Sequence, residues 1–125
     1  MNEHDKVNSK STGDEPERYF LVLFQRGRRR DPFAFMNSPT FEVAKEYLEG
    51  AIASKREKTQ LDIWLESPGG DATIAYKFIL LARHLASTIR VVIPDYAKSA
   101  ATLLSIGADS IWMAAAAELG PLAAA

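Results

Sequence analysis

Read from its amino end, the chain alternates short apolar runs with stretches whose apolar residues recur at helical spacing, and it begins with neither. Met1 to Arg18 mixes Asn, Ser, Lys, Asp, Glu, Gly and Pro with almost nothing apolar. So little burial cannot offset the entropy of ordering, and residues 1–18 are expected to form a disordered polar tail. Tyr19 to Phe24 is a continuous aromatic and branched run, the pattern of an interior strand covered on both faces. From Thr40, the expected N-cap behind Pro39, the apolar positions Phe41, Ala44, Leu48 and Ile52 predict a helix running to about Lys58. Leu61, Ile63 and Leu65 then alternate with Asp62, Trp64 and Glu66, which predicts a strand in which Trp64 can also be buried. Ser67-Pro68-Gly69-Gly70 ends it sharply.

Asp71 is placed to cap a helix through Ser87, because its carboxylate can accept from the free amides of the first turn. Ile74, Phe78, Leu81 and Leu85 form the main apolar face of that helix. Tyr76, Ile79 and Leu80 lie off it and imply a second contact layer, such as another subunit. Ile89 to Ile93 predicts the next strand, Ser99 to Ile106 a short helix stopped by Gly107, and Ser110 to Met113 a further strand. The order β-α-β-α-β-α-β calls for an α/β fold with a mostly parallel sheet and right-handed crossovers. Alanine runs at Ala114 to Ala117 and Ala123 to Ala125 carry no periodic signal.

Composition narrows the classes of function. With 125 residues and 47% hydrophobic content there is material for one core, so a single domain over 19–125 is expected. A net charge of −1 from 15 basic and 16 acidic residues provides no global field to recruit nucleic acid or an anionic membrane. The absence of cysteine excludes disulfides, thiolate metal sites and a cysteine nucleophile, and cytoplasm is the expected compartment. No run reaches the roughly 18 apolar residues of a membrane span, and the polar amino end does not read as a signal peptide.

The chemistry is concentrated where strands hand over to helices, the place where ligands bind in open parallel sheets. Pro68-Gly69-Gly70 lets backbone amides approach a ligand, with a helix start behind them. Taken alone, the same residues read more readily as a plain turn between strand and helix. In Tyr96-Ala97-Lys98-Ser99-Ala100-Ala101-Thr102, Ser99 sits at a helix start between small neighbours, where an oxyanion is favoured. Taken alone it could be an ordinary N-cap serine. Ser67 and Ser105 are weaker nucleophile candidates, one turning the chain and the other set in an apolar helix. Arg26, Arg28, Arg29 and Arg30 read as a solvated loop, since no stacking aromatics are interleaved for nucleic acid. His4 lies in the polar tail and His84 on a helix flank, and both read as structural or solvated. No metal-ligand spacing is present.

Taken together, the two segments and Glu118-Leu119-Gly120-Pro121 resemble the Clp protease and crotonase-like superfamily, most closely its serine dehydrogenase proteinase branch, related to signal peptide peptidase A. The resemblance covers about half the chain, from Leu61 to Leu122. It implies a crotonase-like, Clp protease-type β-α-β spiral whose carboxyl-terminal remainder follows the present segment. It further implies Ser99 as nucleophile, amides of Gly69 or Gly70 and of Ala100 as oxyanion donors, and Glu118, Leu119, Gly120 and Pro121 as the lining of a strand-like peptide site. The implied partners are a peptide or protein substrate and further copies of the chain, with no cofactor.

The pattern also departs from the family. In the Clp proteolytic subunit a histidine falls near the block reading Glu118-Leu119 here, so a Ser-His-Asp triad is not supported. Signal peptide peptidase A uses a lysine distant from its serine. Lys98 is the one lysine beside Ser99, yet adjacent side chains at such a turn diverge, and a base beyond Ala125 or on another subunit is the better expectation. A serine peptidase is therefore expected, against two rivals. One is an acyl-CoA enzyme of crotonase type that holds an enolate with the same amides. The other is an inactive paralogue serving assembly.

Overall fold

The computed structural model describes residues 17–52 and 59–121. Its elements are β1 (Glu17–Phe24), α1 (Ser38–Ala51), β2 (Thr59–Glu66), α2 (Ala72–Leu85), β3 (Thr88–Ile93), β4 (Tyr96–Ala97), α3 (Ala100–Ile106), β5 (Ser110–Met113) and β6 (Glu118–Leu119). The main sheet has the order β1-β2-β3-β5 and every pairing is parallel. Sequential parallel strands joined by crossovers of one hand put their helices on one face of the sheet, which makes the chain advance as a spiral. β4 and β6 form a small second sheet, also parallel.

Burial follows the pleat. Leu21, Leu61, Ile63, Leu65, Ile89, Val91 and Ile93 point to the helix side and are buried there with Leu48, Phe78 and Leu104. Phe78 of α2 is fully buried and meets Phe41 of α1 edge-on, with ring centroids 6.0 Å apart. α3 packs on α2 where Ile79 lies against Gly107, so closely that a Cβ on that glycine would come within 2.6 Å of Ile79. Ile79 is thus covered inside the chain, and only Tyr76 and Leu80 of the predicted second layer remain exposed.

Several boundaries differ from the sequence pattern. β1 begins at Glu17, so two residues of the expected tail belong to the sheet, while 1–16 and with them His4 lie outside the described residues. β1, expected as an interior strand, stands at the edge of the sheet among the described residues. Phe20 is 51% and Val22 62% exposed on the face away from the helices. Trp64 and Trp112 share that open face. Continuous hydrophobicity reports apolar demand on both faces but not which body covers the second. α1 is capped by Asn37, whose side chain accepts from the Thr40 N–H, with Pro39 in the first turn. Thr40 is instead buried and its hydroxyl donates to Phe35 O. The stretch predicted to carry α1 on to Lys58 falls largely in 53–58, outside the described residues. Asp71 caps α2 as expected, accepting from Thr73 N at 2.8 Å. No helix among the described residues is long and apolar enough to cross a membrane.

Candidate active site

Both glycine loop and serine turn lie at the carboxyl ends of parallel strands, and the fold brings them into contact. Ser67 follows the end of β2, and β4 runs alongside it: Ser67 N donates to Tyr96 O at 3.1 Å and Lys98 N to Ser67 O at 3.0 Å. Gly69 therefore reaches the serine turn. Its φ is +105°, and a Cβ there would lie 2.6 Å from Ser99 Cβ, 2.7 Å from Lys98 O and 3.1 Å from Ala100 N. Only glycine allows this approach. Gly70, at φ +151°, is held against Met36, which donates its N–H to Gly69 O and accepts that of Asp71, both at 2.7 Å.

Ser99 is the one non-glycine residue with positive φ among the described residues, at φ 53° and ψ −124°. Although it precedes α3, its side chain makes no capping hydrogen bond. The ordinary N-cap account thus fails, and what remains is a half-buried hydroxyl on a backbone that costs energy to hold. The helix start still contributes: Ala100, at its first position, has an N–H with no intrahelical acceptor. The two other serines considered are engaged. Ser105 donates to Ala101 O at 2.8 Å, and Ser67 donates to Gln25 Oε1 at 2.5 Å, both fully buried.

The two glycine amides are not equivalent. Gly69 N–H already donates to Ser67 Oγ at 3.1 Å, so it is not free to face a ligand. Gly70 N–H has no acceptor among the described residues. An amide pair available for a negative oxygen would therefore be Gly70 with Ala100, narrower than the set expected from sequence.

Of the two candidate bases, one is ion-paired and the other lies at the far end of α2. Lys98 Nζ donates to Glu118 Oε2 at 2.7 Å, and an ion-paired ammonium has no lone pair with which to take a proton. The same hydrogen bond and the lysine charge hold the Glu118 carboxyl below its ordinary range. His84 sits in the last turn of α2. At about 1.5 Å of rise per residue, roughly 20 Å of helix separates it from the glycine loop. Arg26 is paired with Glu66, and Arg28 to Arg30 are exposed.

Glu118 to Pro121 stand beside the serine turn, but their inner edge is used within the chain. Glu118 N donates to Asp95 O and Gly120 N to Ala97 O, both at 2.8 Å, and Pro121 O accepts from Ser99 N at 3.0 Å. They brace the turn, and only the outer edge of β6 remains for a ligand. Sequence reasoning passed over Gln25 and Met36 and gave no role to Tyr96, although all three meet near the glycine loop. Gln25 left one trace, a polar amide directly after the apolar run of β1.

Fold and site together define a Clp-like α/β domain with a serine at a strained strand-to-helix turn. Residues 28–125 match the family of ClpP-like SDH-type serine proteinases, and the chain belongs to that family. Two uncharacterized proteins of Methanocaldococcus jannaschii are similar in sequence. One is 37% identical over 84 residues, covering 66% of this chain and 29% of that protein. The other is 30% identical over 99 residues, covering 75% of this chain and 34% of that protein. The chain thus spans about a third of the length of these relatives. The ClpP protease catalytic domain from Plasmodium falciparum superposes with a TM-score of 0.56 at 13% identity, over 90% of this chain and 61% of that one, a likeness of fold.

Proposed function

We propose that the protein is a serine endopeptidase that forms its acyl-enzyme on Ser99. The observation that carries the reading is the Ser99 turn itself: an uncapped hydroxyl on a strained backbone, pressed against a glycine that tolerates no side chain. Strain of this kind persists where function requires it, and a sharp strand-to-helix turn is a recurrent way to present a nucleophilic serine. In the first step Ser99 Oγ bonds to the scissile carbonyl carbon as a base takes its proton, and the Gly70 and Ala100 N–H groups receive the developing oxyanion. The C–N bond then breaks, the amine leaves with the proton, and water releases the acyl group. A base from outside the described residues suits this reading best, since Lys98 is ion-paired with Glu118 and His84 lies in the last turn of α2. The substrate is an extended peptide segment, added as a strand beside β6.

Labelling of the full-length protein with a fluorophosphonate tests this. Ser99 is expected to carry the adduct, and Ser99→Ala to lose both adduct and peptide hydrolysis. Hydrolysis at an unchanged rate after Ser99→Ala would show that the nucleophile lies elsewhere. Turnover of an acyl-CoA thioester without labelling would instead select the crotonase-type reaction.

Assembly with further copies of the chain is part of the same reading. The open sheet face carrying Phe20, Val22, Phe24, Trp64 and Trp112 supports it, because exposed apolar groups gathered on one face mark contact surfaces. A closed symmetric oligomer is expected. Light scattering that finds only monomer at micromolar concentration would count against it.

A further inference from the structure

Behind the glycine loop lies a buried polar network whose acceptors fix which way the Gln25 amide faces and where the Ser67 proton goes. Gln25 is 1% exposed and Ser67 fully buried. Gln25 Nε2 donates to Phe33 O at 2.9 Å, to Phe35 O at 2.7 Å and to Thr40 Oγ1 at 3.2 Å. The two carbonyls can only accept, so the NH2 end of the amide must face them and Oε1 must face Ser67. The single hydroxyl proton of Ser67 therefore goes to Oε1, at 2.5 Å. Only its lone pairs are left for the loop, and one accepts Gly69 N–H at 3.1 Å.

We infer that Gln25, acting through Ser67, is a positioning residue that ties down the Gly69 amide and so leaves the Gly70 amide to face the substrate. This rests on the serine-peptidase reading of Ser99. Met36 holds the chain on either side of Gly70, while the Ser67 hydroxyl holds the preceding amide, so the peptide planes of the loop have no freedom to turn. Gln25 is also joined to the other half of the site. Its N–H donates to Glu66 O at the end of β2, and its carbonyl accepts from the Tyr96 hydroxyl at 3.0 Å, on the strand that leads into Ser99. One buried residue, through its side-chain amide and its backbone, thus references the glycine loop and the serine turn to the same point. Loss of the Ser67 hydroxyl would release Gly69 N–H and leave Oε1 unpaired in the core, which weakens the site where charge develops and not where the peptide binds.

The test compares Ser67→Ala with Thr40→Val in the full-length protein, reading the rate of fluorophosphonate labelling at Ser99, peptide kcat and KM, and thermal melting. Ser67→Ala is expected to slow labelling and lower kcat roughly tenfold to a hundredfold, below the effect of deleting an oxyanion donor outright, with KM unchanged. Thr40→Val removes the hydroxyl's hydrogen bonds to the same amide and to Phe35 O, but leaves the amide its own acceptors at Phe33 O and Phe35 O. It should lower the melting temperature and leave the labelling rate as it was. Ser67→Thr, which keeps the hydroxyl, should restore the rate. If Ser67→Ala does not melt cooperatively, Ser67→Cys fills the same place with a weaker acceptor, and an intermediate rate is expected. Labelling of Ser67→Ala at the wild-type rate, with the adduct on Ser99, would overturn the inference and spare the peptidase reading. Equal slowing by Thr40→Val would also overturn it, reducing the network to a scaffold. Wild-type protein that takes no label at Ser99 would sink both.

Discussion

Replacing Ser99 by glycine should make the protein more stable while destroying its chemistry. Ser99 holds φ 53° and ψ −124° with a Cβ attached, a conformation that costs a non-glycine residue about 1–3 kcal/mol. Glycine removes that cost, and its greater freedom in the unfolded chain returns about 0.5–1 kcal/mol against it. The balance is a stabilisation of up to about 2.5 kcal/mol, reduced slightly by loss of the Cβ contact with Gly69. Alanine is the informative comparison. Ser99→Ala keeps the Cβ and hence the strain, and since the side chain makes no capping bond, the usual cap loss of about 1 kcal/mol does not apply. Its stability should stay within about 0.5 kcal/mol of wild type. Urea unfolding and calorimetry of the three proteins measure the difference, which at this chain length corresponds to a few degrees in melting temperature. Ser99→Gly melting at or below Ser99→Ala would refute the claim that the turn stores strain. Both variants should be inert toward fluorophosphonate.

Gly69→Ala places a methyl against Ser99 Cβ and Lys98 O, neither of which is the free end of a flexible chain, so a loss of about 2–5 kcal/mol and of Ser99 labelling is expected. Melting like wild type would show room that the geometry denies. Gly50→Ala, in α1 with nothing within 4 Å of the added methyl, should raise stability by about 0.5–1 kcal/mol in urea without changing labelling. A lower unfolding midpoint would contradict this. The folded-state pKa of Glu118 is lowered by the hydrogen bond and charge of Lys98, so the pair's contribution is present above the ordinary carboxylate range and disappears as pH falls through the lowered value. Amide-exchange protection at Glu118 and Gly120 should fall over that acidic range, and Glu118→Gln should remove the pH dependence. Protection unchanged by acid would separate the ion pair from the pairing of β4 with β6.

Much of the fold could be read locally. The alternation Leu61, Ile63, Leu65 anticipated β2, Asp71 anticipated the α2 cap, and Gly107 the end of α3, because each depends on neighbours within a turn or a pleat. Where local signals competed, tertiary contacts decided. Thr40 resembled a cap, but its hydroxyl was drawn to Phe35 O and Gln25, and Asn37 took the cap instead. Lys98 was a candidate base until β6 brought Glu118 beside it. The apolar run of β1 looked interior, yet no strand among the described residues pairs with its outer edge.

By itself the amino-acid sequence determined the succession of strands and helices and picked out the glycine loop and the serine turn, since hydrophobic period, caps and glycines act over a few residues. Only the tertiary structure decided which amide is free, which lysine is occupied and which serine is strained. Those outcomes turn on partners far along the chain, such as Gln25 with Ser67 or Pro121 with Ser99. A hydrogen bond consumes a particular donor only once the fold has brought an acceptor to it, and no local pattern encodes that meeting.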